Sequence, residues 1–214
     1  MTVSFAGFPW LSLVLLGMYH GVNPGMGWLF AVSRWRQRGR WRDLLGSLVP
    51  LGIGHELSIL PIAVGYELGA ASLSAHVLTL GAAAVLVGMG GWFLLRRSHF
   101  RWVGMRLGVR ELILWSFLMS SAEGAGLMLI PALRFSGVGD DLARVLGRAR
   151  LGEAVVYGGV AAAVHGTATV VTMGLVAVVA SRLLGLQRLR RLWVNFDRIW
   201  ALALVLSGVL LLVT

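Results

Sequence analysis

The sequence contains no cysteine and no lysine. Without a thiol there is no disulfide, no zinc–thiolate or iron–sulfur site and no thiol relay. Charge of either sign is scarce: 13% of the 214 residues are charged, where a soluble domain carries about a quarter. Only nine residues are acidic, so any carboxylate inside an apolar stretch stands out. The first apolar stretch has no basic segment ahead of it and continues past a polar motif, so it is not expected to be a cleaved leader. The alternating pattern of an outer-membrane barrel is missing as well.

What is present is apolar. Hydrophobic residues make up 57% of the chain and the mean hydropathy is +0.81. All 19 basic residues are arginine, and they give a formal net charge of +10. That surplus suggests nucleic acid at first sight. The arginines gather between apolar stretches, however, as cytoplasmic anchors do, so the partner they imply is the lipid bilayer and no nucleic acid.

Six stretches are long enough to cross a bilayer, which takes about 20 residues each. They run from Phe5 to Ser33, Leu44 to Tyr66, Leu73 to Leu95, Leu112 to Leu133, Ala154 to Ala180 and Leu192 to Val213. Three loops hold the arginine clusters: Arg34, Arg36, Arg38, Arg40 and Arg42; then Arg96, Arg97, Arg101, Arg106 and Arg110; then Arg182, Arg188, Arg190 and Arg191. In a six-helix alternation these loops share one side, and the positive-inside rule makes that side the cytoplasm. The expected fold is therefore all-α: a polytopic protein of a bacterial inner membrane with six transmembrane helices and both termini periplasmic. The whole chain, 1–214, reads as one transmembrane domain with halves of about 1–97 and 111–214. Asp140 to Arg150 reads as a surface helix or a solvated connector. Trp10, Trp28, Trp35, Trp41, Trp92, Trp102, Trp193 and Trp200 flank the stretches like an aromatic belt. Gly17, Gly21 and Gly25 recur every four residues, which suits close helix packing.

Ionisable and polar side chains deep in apolar stretches are the functional candidates, since each costs about 2.5–3.5 kcal/mol on insertion scales. His20 stands before the Asn23-Pro24-Gly25 break, His55 and Glu56 in the second stretch, Glu123 in the fourth and His165 in the fifth. At about 1.5 Å per residue, His55, Glu123 and His165 lie roughly 15–18 Å from the nearer membrane entry, and His20 about as deep. His76 and His99 sit at edges and read as interfacial. The first half carries His20-Gly21 and then His55, and the second carries Glu123-Gly124 and then His165-Gly166. Such halves of three helices suggest a 3+3 inverted repeat with its site at the repeat interface.

Neutral imidazoles and a carboxylate are ligands for transition metals, and methionine thioethers add softness. The same groups also suit a proton relay, or hydrogen bonds between helices. Three functions follow: a metal-ion permease, a non-transporting metal- or cofactor-binding subunit of a larger membrane complex, or a membrane metalloenzyme. The enzyme ranks last, because no nucleophile or hydrolytic motif accompanies the histidines. The chain is expected to bind a transition metal ion (Ni, Co, Cu, Zn or Fe), acting alone, as a homo-oligomer or beside a membrane-complex partner.

The stretch His20-Gly21-Val22-Asn23-Pro24-Gly25-Met26, then Ala31-Val32 and, downstream, Gly54-His55-Glu56-Leu57-Ser58, resembles the nickel/cobalt permease superfamily, related to lysine-exporter-type membrane proteins. The resemblance covers the first 60 residues and the six-helix plan, and His165-Gly166-Thr167 is similar to a later segment of the family. It implies His20 and His55 as ligands, with Asn23 at the family's acidic position and Met26 at its second histidine position. Glu56, Glu123 and their depth stand outside the resemblance.

Overall fold

The computed structural model describes residues 8–72, 75–95, 107–135, 151–183 and 201–212. Among them all regular structure is helical, with no strand. The order is α1 (Phe8–Val22), a 3-10 turn (Pro24–Met26), α2 (Trp28–Arg38), α3 (Trp41–Ser72), α4 (Ala75–Leu95), α5 (Val109–Ala122), α6 (Ala125–Phe135), α7 (Leu151–Leu183) and α8 (Ala201–Leu212).

Two helices are long and apolar enough to cross a membrane alone, over Trp41–Glu67 of α3 and Val155–Arg182 of α7. A third crossing is made if α5 and α6 count as one span bent by 55°. The other apolar stretches fall on shorter apolar helices: Trp10–Val22, Leu80–Trp92 and Ala201–Leu212. The outer faces match a lipid solvent. Leu11, Leu15, Leu57, Val171 and Leu175 are each more than half exposed, an apolar surface that an aqueous fold avoids.

The break after α1 is local chemistry. Pro24 holds Asn23 extended (φ −64°, ψ 122°), which ends the helix. Asn23 then caps the 3-10 turn, its Oδ1 accepting from Gly25 N at 2.9 Å. Gly27, at φ 103°, turns the chain into α2, a conformation that costs any L side chain strain. The carbonyls released by the break are not left bare, which apolar surroundings would punish. Trp28 Nε1–H donates to Val22 O at 3.1 Å, and Trp115 Nε1–H donates to Gly25 O at 2.9 Å. Trp28 is thus no belt residue: it is 4% exposed and closes the break. Trp10, Trp41 and Trp92 are exposed, as a belt requires.

The second break lies between α5 and α6. Glu123 closes α5 with its N–H on Met119 O at 2.8 Å, and Gly124, at φ 67°, makes the bend. Three buried apolar clusters hold the helices: one around Met26, Leu51, Trp115 and Met173, one around Leu13, Ile59 and Leu129, and one around Leu86, Met128 and Leu204. Helix α3 lies between α5 and α7, and α1 runs along α7. Side-chain-free positions make these contacts backbone-close. A Cβ at Gly17 would strike His165 O, one at Gly21 would stand 2.5 Å from Thr169 O, and one at Gly54 would strike Ile113 O. Gly25 leaves this row, because it belongs to the 3-10 turn rather than to α1.

The second and third arginine clusters except Arg110 and Arg182, the Asp140–Arg150 segment, His99, Trp102, Trp193 and Trp200 lie outside the described residues.

Candidate functional site

Three helices each bring one imidazole to the same place. His20 comes from the last turn of α1, His55 from α3 and His165 from α7, and all three are 0% exposed. Ring centres are 4.9 Å apart for His20 and His165, 5.4 Å for His55 and His165, and 5.8 Å for His20 and His55. The α1–α7 contact at Gly17 and Gly21 is what lets His20 reach this depth between the helices.

Two of the rings are oriented from behind. His20 Nδ1 lies 2.9 Å from Leu16 O. A carbonyl only accepts, so Nδ1 carries the proton, and in the neutral ring Nε2 carries the lone pair. His55 Nδ1 lies 2.5 Å from Ser120 Oγ. Ser120 Oγ in turn reaches Met26 Sδ at 3.8 Å. With the hydroxyl proton on the thioether, His55 Nδ1–H donates to Ser120 and leaves Nε2 as the lone pair. His55 Nε2 and both nitrogens of His165 have no hydrogen-bond partner among the described residues. The Leu13 carbonyl comes close to His165 without completing a bond. Buried imidazole nitrogens in this condition are uncommon, because each forfeits the hydrogen bonds it had in water.

The spacing suits an ion. Three imidazoles bound through one nitrogen each to a tetrahedral metal, with bonds of about 2.0–2.1 Å, place their ring centres about 5 Å apart. The ring planes do not yet suit it. A metal lies in the plane of every ring that binds it, whereas His55 and His165 stack within 18° of parallel. Accordingly no three His, Asp or Glu side chains among the described residues already surround one ion position.

The other sequence candidates make these contacts. Glu123, 8% exposed, accepts from Asn23 Nδ2 at 2.7 Å through Oε2, while its Oε1 lies beside Gly25. Asn23 and Glu123 therefore tie the two helix breaks together. Glu56, one residue past His55, points along the α3–α7 contact at Gly166, where a Cβ would overlap its carboxylate. Met26 is fully buried, and its Sδ accepts from Ser120 Oγ at 3.8 Å. Sequence reasoning missed Ser120 and Trp115. Ser120 lies one helical turn before Glu123, on a helix already singled out, and that spacing was the available signal.

No family model, no curated protein and no solved structure matches the chain.

Proposed function

We propose that the chain is a multi-pass inner-membrane permease for a transition-metal ion, which His20, His55 and His165 hold midway across the bilayer. The observation that carries this is the meeting of three fully buried imidazoles from three helices, two of them with a lone pair turned inward by Leu16 O and Ser120. Metal-binding histidines are typically fixed this way through the second nitrogen.

The finer architecture follows the same reading: six spans, both termini periplasmic, and two halves of inverted topology. Several features support it. The first span of each half is the broken one, at Asn23–Gly27 and at Glu123–Gly124. The second span of each half bears a histidine of the triad, His55 on α3 and His165 on α7. The pairing is reciprocal: span one packs on α7, α5 of span four packs on α3, and α3 packs on α7. The two breaks touch through Asn23 and Glu123. Substrate sites of inverted-repeat transporters lie on such broken helices near the midplane.

Protein reconstituted in liposomes and assayed with an entrapped metal indicator tests the reading. Flux is expected, with His55→Ala and His165→Ala each abolishing it while the helical circular-dichroism signal remains. Metal bound in detergent without flux would instead assign the chain to a complex as a non-transporting subunit. Neither binding nor flux, or both undiminished in the histidine variants, would remove the triad as the site.

A further inference from the structure

The seam between α3 and α5 has two sides, and the metal reading uses only the inner one. There α5 buries Leu112, Trp115, Ser116 and Ser120, and Ser116 Oγ–H donates to Leu51 O of α3 at 2.7 Å. On the outer side, Leu57 of α3 and Arg110, Ile113, Leu114 and Phe117 of α5 line an open groove of about 430 Å³. The α5 members stand at i, i+3, i+4 and i+7, which is one face of a helix. Arg110 lies where α5 begins, and Phe117 lies about 10 Å further along that face.

We infer that this groove binds an anionic phospholipid, with the phosphate on the Arg110 guanidinium and one acyl chain along Leu114 and Phe117. The walls are apolar and turned away from the protein: Leu57 is 53% exposed, Leu114 56% and Phe117 37%. Helix α3 is long and apolar enough to cross a bilayer, and α5 joins α6 in a bent span, so hydrocarbon is what meets these walls. A face of about 10 Å takes up most of the roughly 15 Å depth of one leaflet's hydrocarbon.

Arg110 gives the occupant its charge. It is the one charged residue of the lining, it is exposed, and no ion pair or hydrogen bond engages it among the described residues. Glu111 stands about 100° further round α5 and sets its carboxylate against Gly108 instead. A guanidinium offers planar paired donors that match phosphate oxygens. An unpaired one at the head of an apolar groove therefore fits a phospholipid along its whole length. A zwitterionic lipid gains less, because it carries its own cation beside the phosphate. The bound lipid braces α3 against α5 from outside, where Gly54 meets the Ile113 carbonyl.

The test uses the whole chain, delipidated in mild detergent, with retained lipid read by native mass spectrometry and stability by melting temperature. The probes are phosphatidylglycerol, phosphatidylcholine with the same acyl chains, and inorganic phosphate. One phosphatidylglycerol per chain is expected, held about fivefold more tightly than phosphatidylcholine and raising the melting temperature. Millimolar inorganic phosphate should neither displace it nor stabilise the protein. Arg110→Gln should bring the two lipids within about twofold of each other, and Arg110→Lys, which keeps the charge, should retain part of the preference. Leu114→Trp, which fills the groove, should weaken both lipids alike by about threefold or more. Both positions are exposed, so the helical circular-dichroism signal should persist in every variant. A preference that survives Arg110→Gln would place lipid recognition on other arginines and overturn the site. Equal retention of the two lipids by the native chain, or none of either, would overturn it as well. Displacement by inorganic phosphate would make the ligand a free anion, and phosphatidylglycerol binding indifferent to Leu114→Trp would remove the chain from the groove.

Discussion

His55 and Glu56 are neighbours in sequence but about 100° apart around α3, and that angle decides which of them meets the other imidazoles. The same rotation on α7 separates His165 from Gly166. The pairs face each other in two stripes, imidazole to imidazole and carboxylate to bare backbone. Gly166 therefore owes its lack of a side chain to Glu56. Gly166→Ala is expected to destabilise the protein by about 1–3 kcal/mol through overpacking and to weaken metal binding, while Glu56→Ala in the same chain restores most of the loss. Thermal unfolding in detergent measures both, and a double variant no better than the single one would displace Glu56 from that contact. Ser120 has a narrower task, which is to hold the His55 Nδ1 proton. Ser120→Ala should lower metal affinity about 10–100-fold with helix content unchanged, and Ser120→Thr, which keeps the hydroxyl, should recover part of it. At this scale the sequence was informative about identity and silent about direction. Depth alone picked out His20, His55 and His165. It could not separate them from Glu56 or Glu123, because the face of a helix that a residue occupies has meaning only once the neighbouring helices are placed.

Among the elements, the two broken helices matter most. Each break interrupts a helix inside an apolar setting. At the first, two indoles serve the carbonyls of Val22 and Gly25 and the Asn23 side chain caps Gly25 N; at the second, Glu123 N–H and Gly124 N–H donate to Met119 O and Ser121 O. The break at Asn23-Pro24-Gly25 was legible, because proline dictates it. That in the fourth stretch was legible from the Gly124, Gly126 and Pro131 series, of which Gly124 makes the bend while Pro131 lies inside α6. The repair was not legible at all, since a tryptophan near the end of an apolar stretch is equally a belt residue by sequence, and only its burial distinguishes Trp28. Asn23 Nδ2 donates to the Glu123 carboxylate across the contact between the two breaks. Asn23→Ala should cost about 1–3 kcal/mol by leaving that carboxylate without its donor. Asn23→Asp should cost more, because it sets a second carboxylate 2.7 Å from the first. Melting temperatures that fall in the order wild type, Ala, Asp would support the tie, and an Asp variant as stable as wild type would show that the breaks do not depend on it.

For the molecule as a whole, charge distribution and packing bear on one question, which is how many times the chain crosses the membrane and from which side. Helical content followed from hydropathy alone, and α3, α4 and α7 begin and end within a few residues of the apolar stretches. The first and fourth stretches instead divide at glycines and bend, since a helix bounded by Gly27 or Gly124 at positive φ cannot continue straight. A broken span is shorter as a helix than as a stretch of sequence, and α5 and α6 make a crossing only when taken as one bent pair. Sidedness fixes the parity of the count. The chain has no cysteine, so single cysteines can be placed without altering any native residue of that type. In the six-span arrangement a cysteine at Gly39, in the exposed turn between α2 and α3, faces the cytoplasm and is protected in intact cells from an impermeant maleimide. Cysteines at Asp141 and after Thr214 face the periplasm and react. Glycine 39 imposes no packing constraint, since nothing lies within 4 Å of a Cβ there, although its φ of 72° makes any side chain strained and Gln37 the better second choice. Labelling of all three positions in intact cells would reduce the crossings between them to an even number of passes with no cytoplasmic turn at Gly39. Labelling at Asp141 and after Thr214 alone fixes an odd number between Gly39 and Asp141 and an even number from there to the end, as six spans with periplasmic termini require.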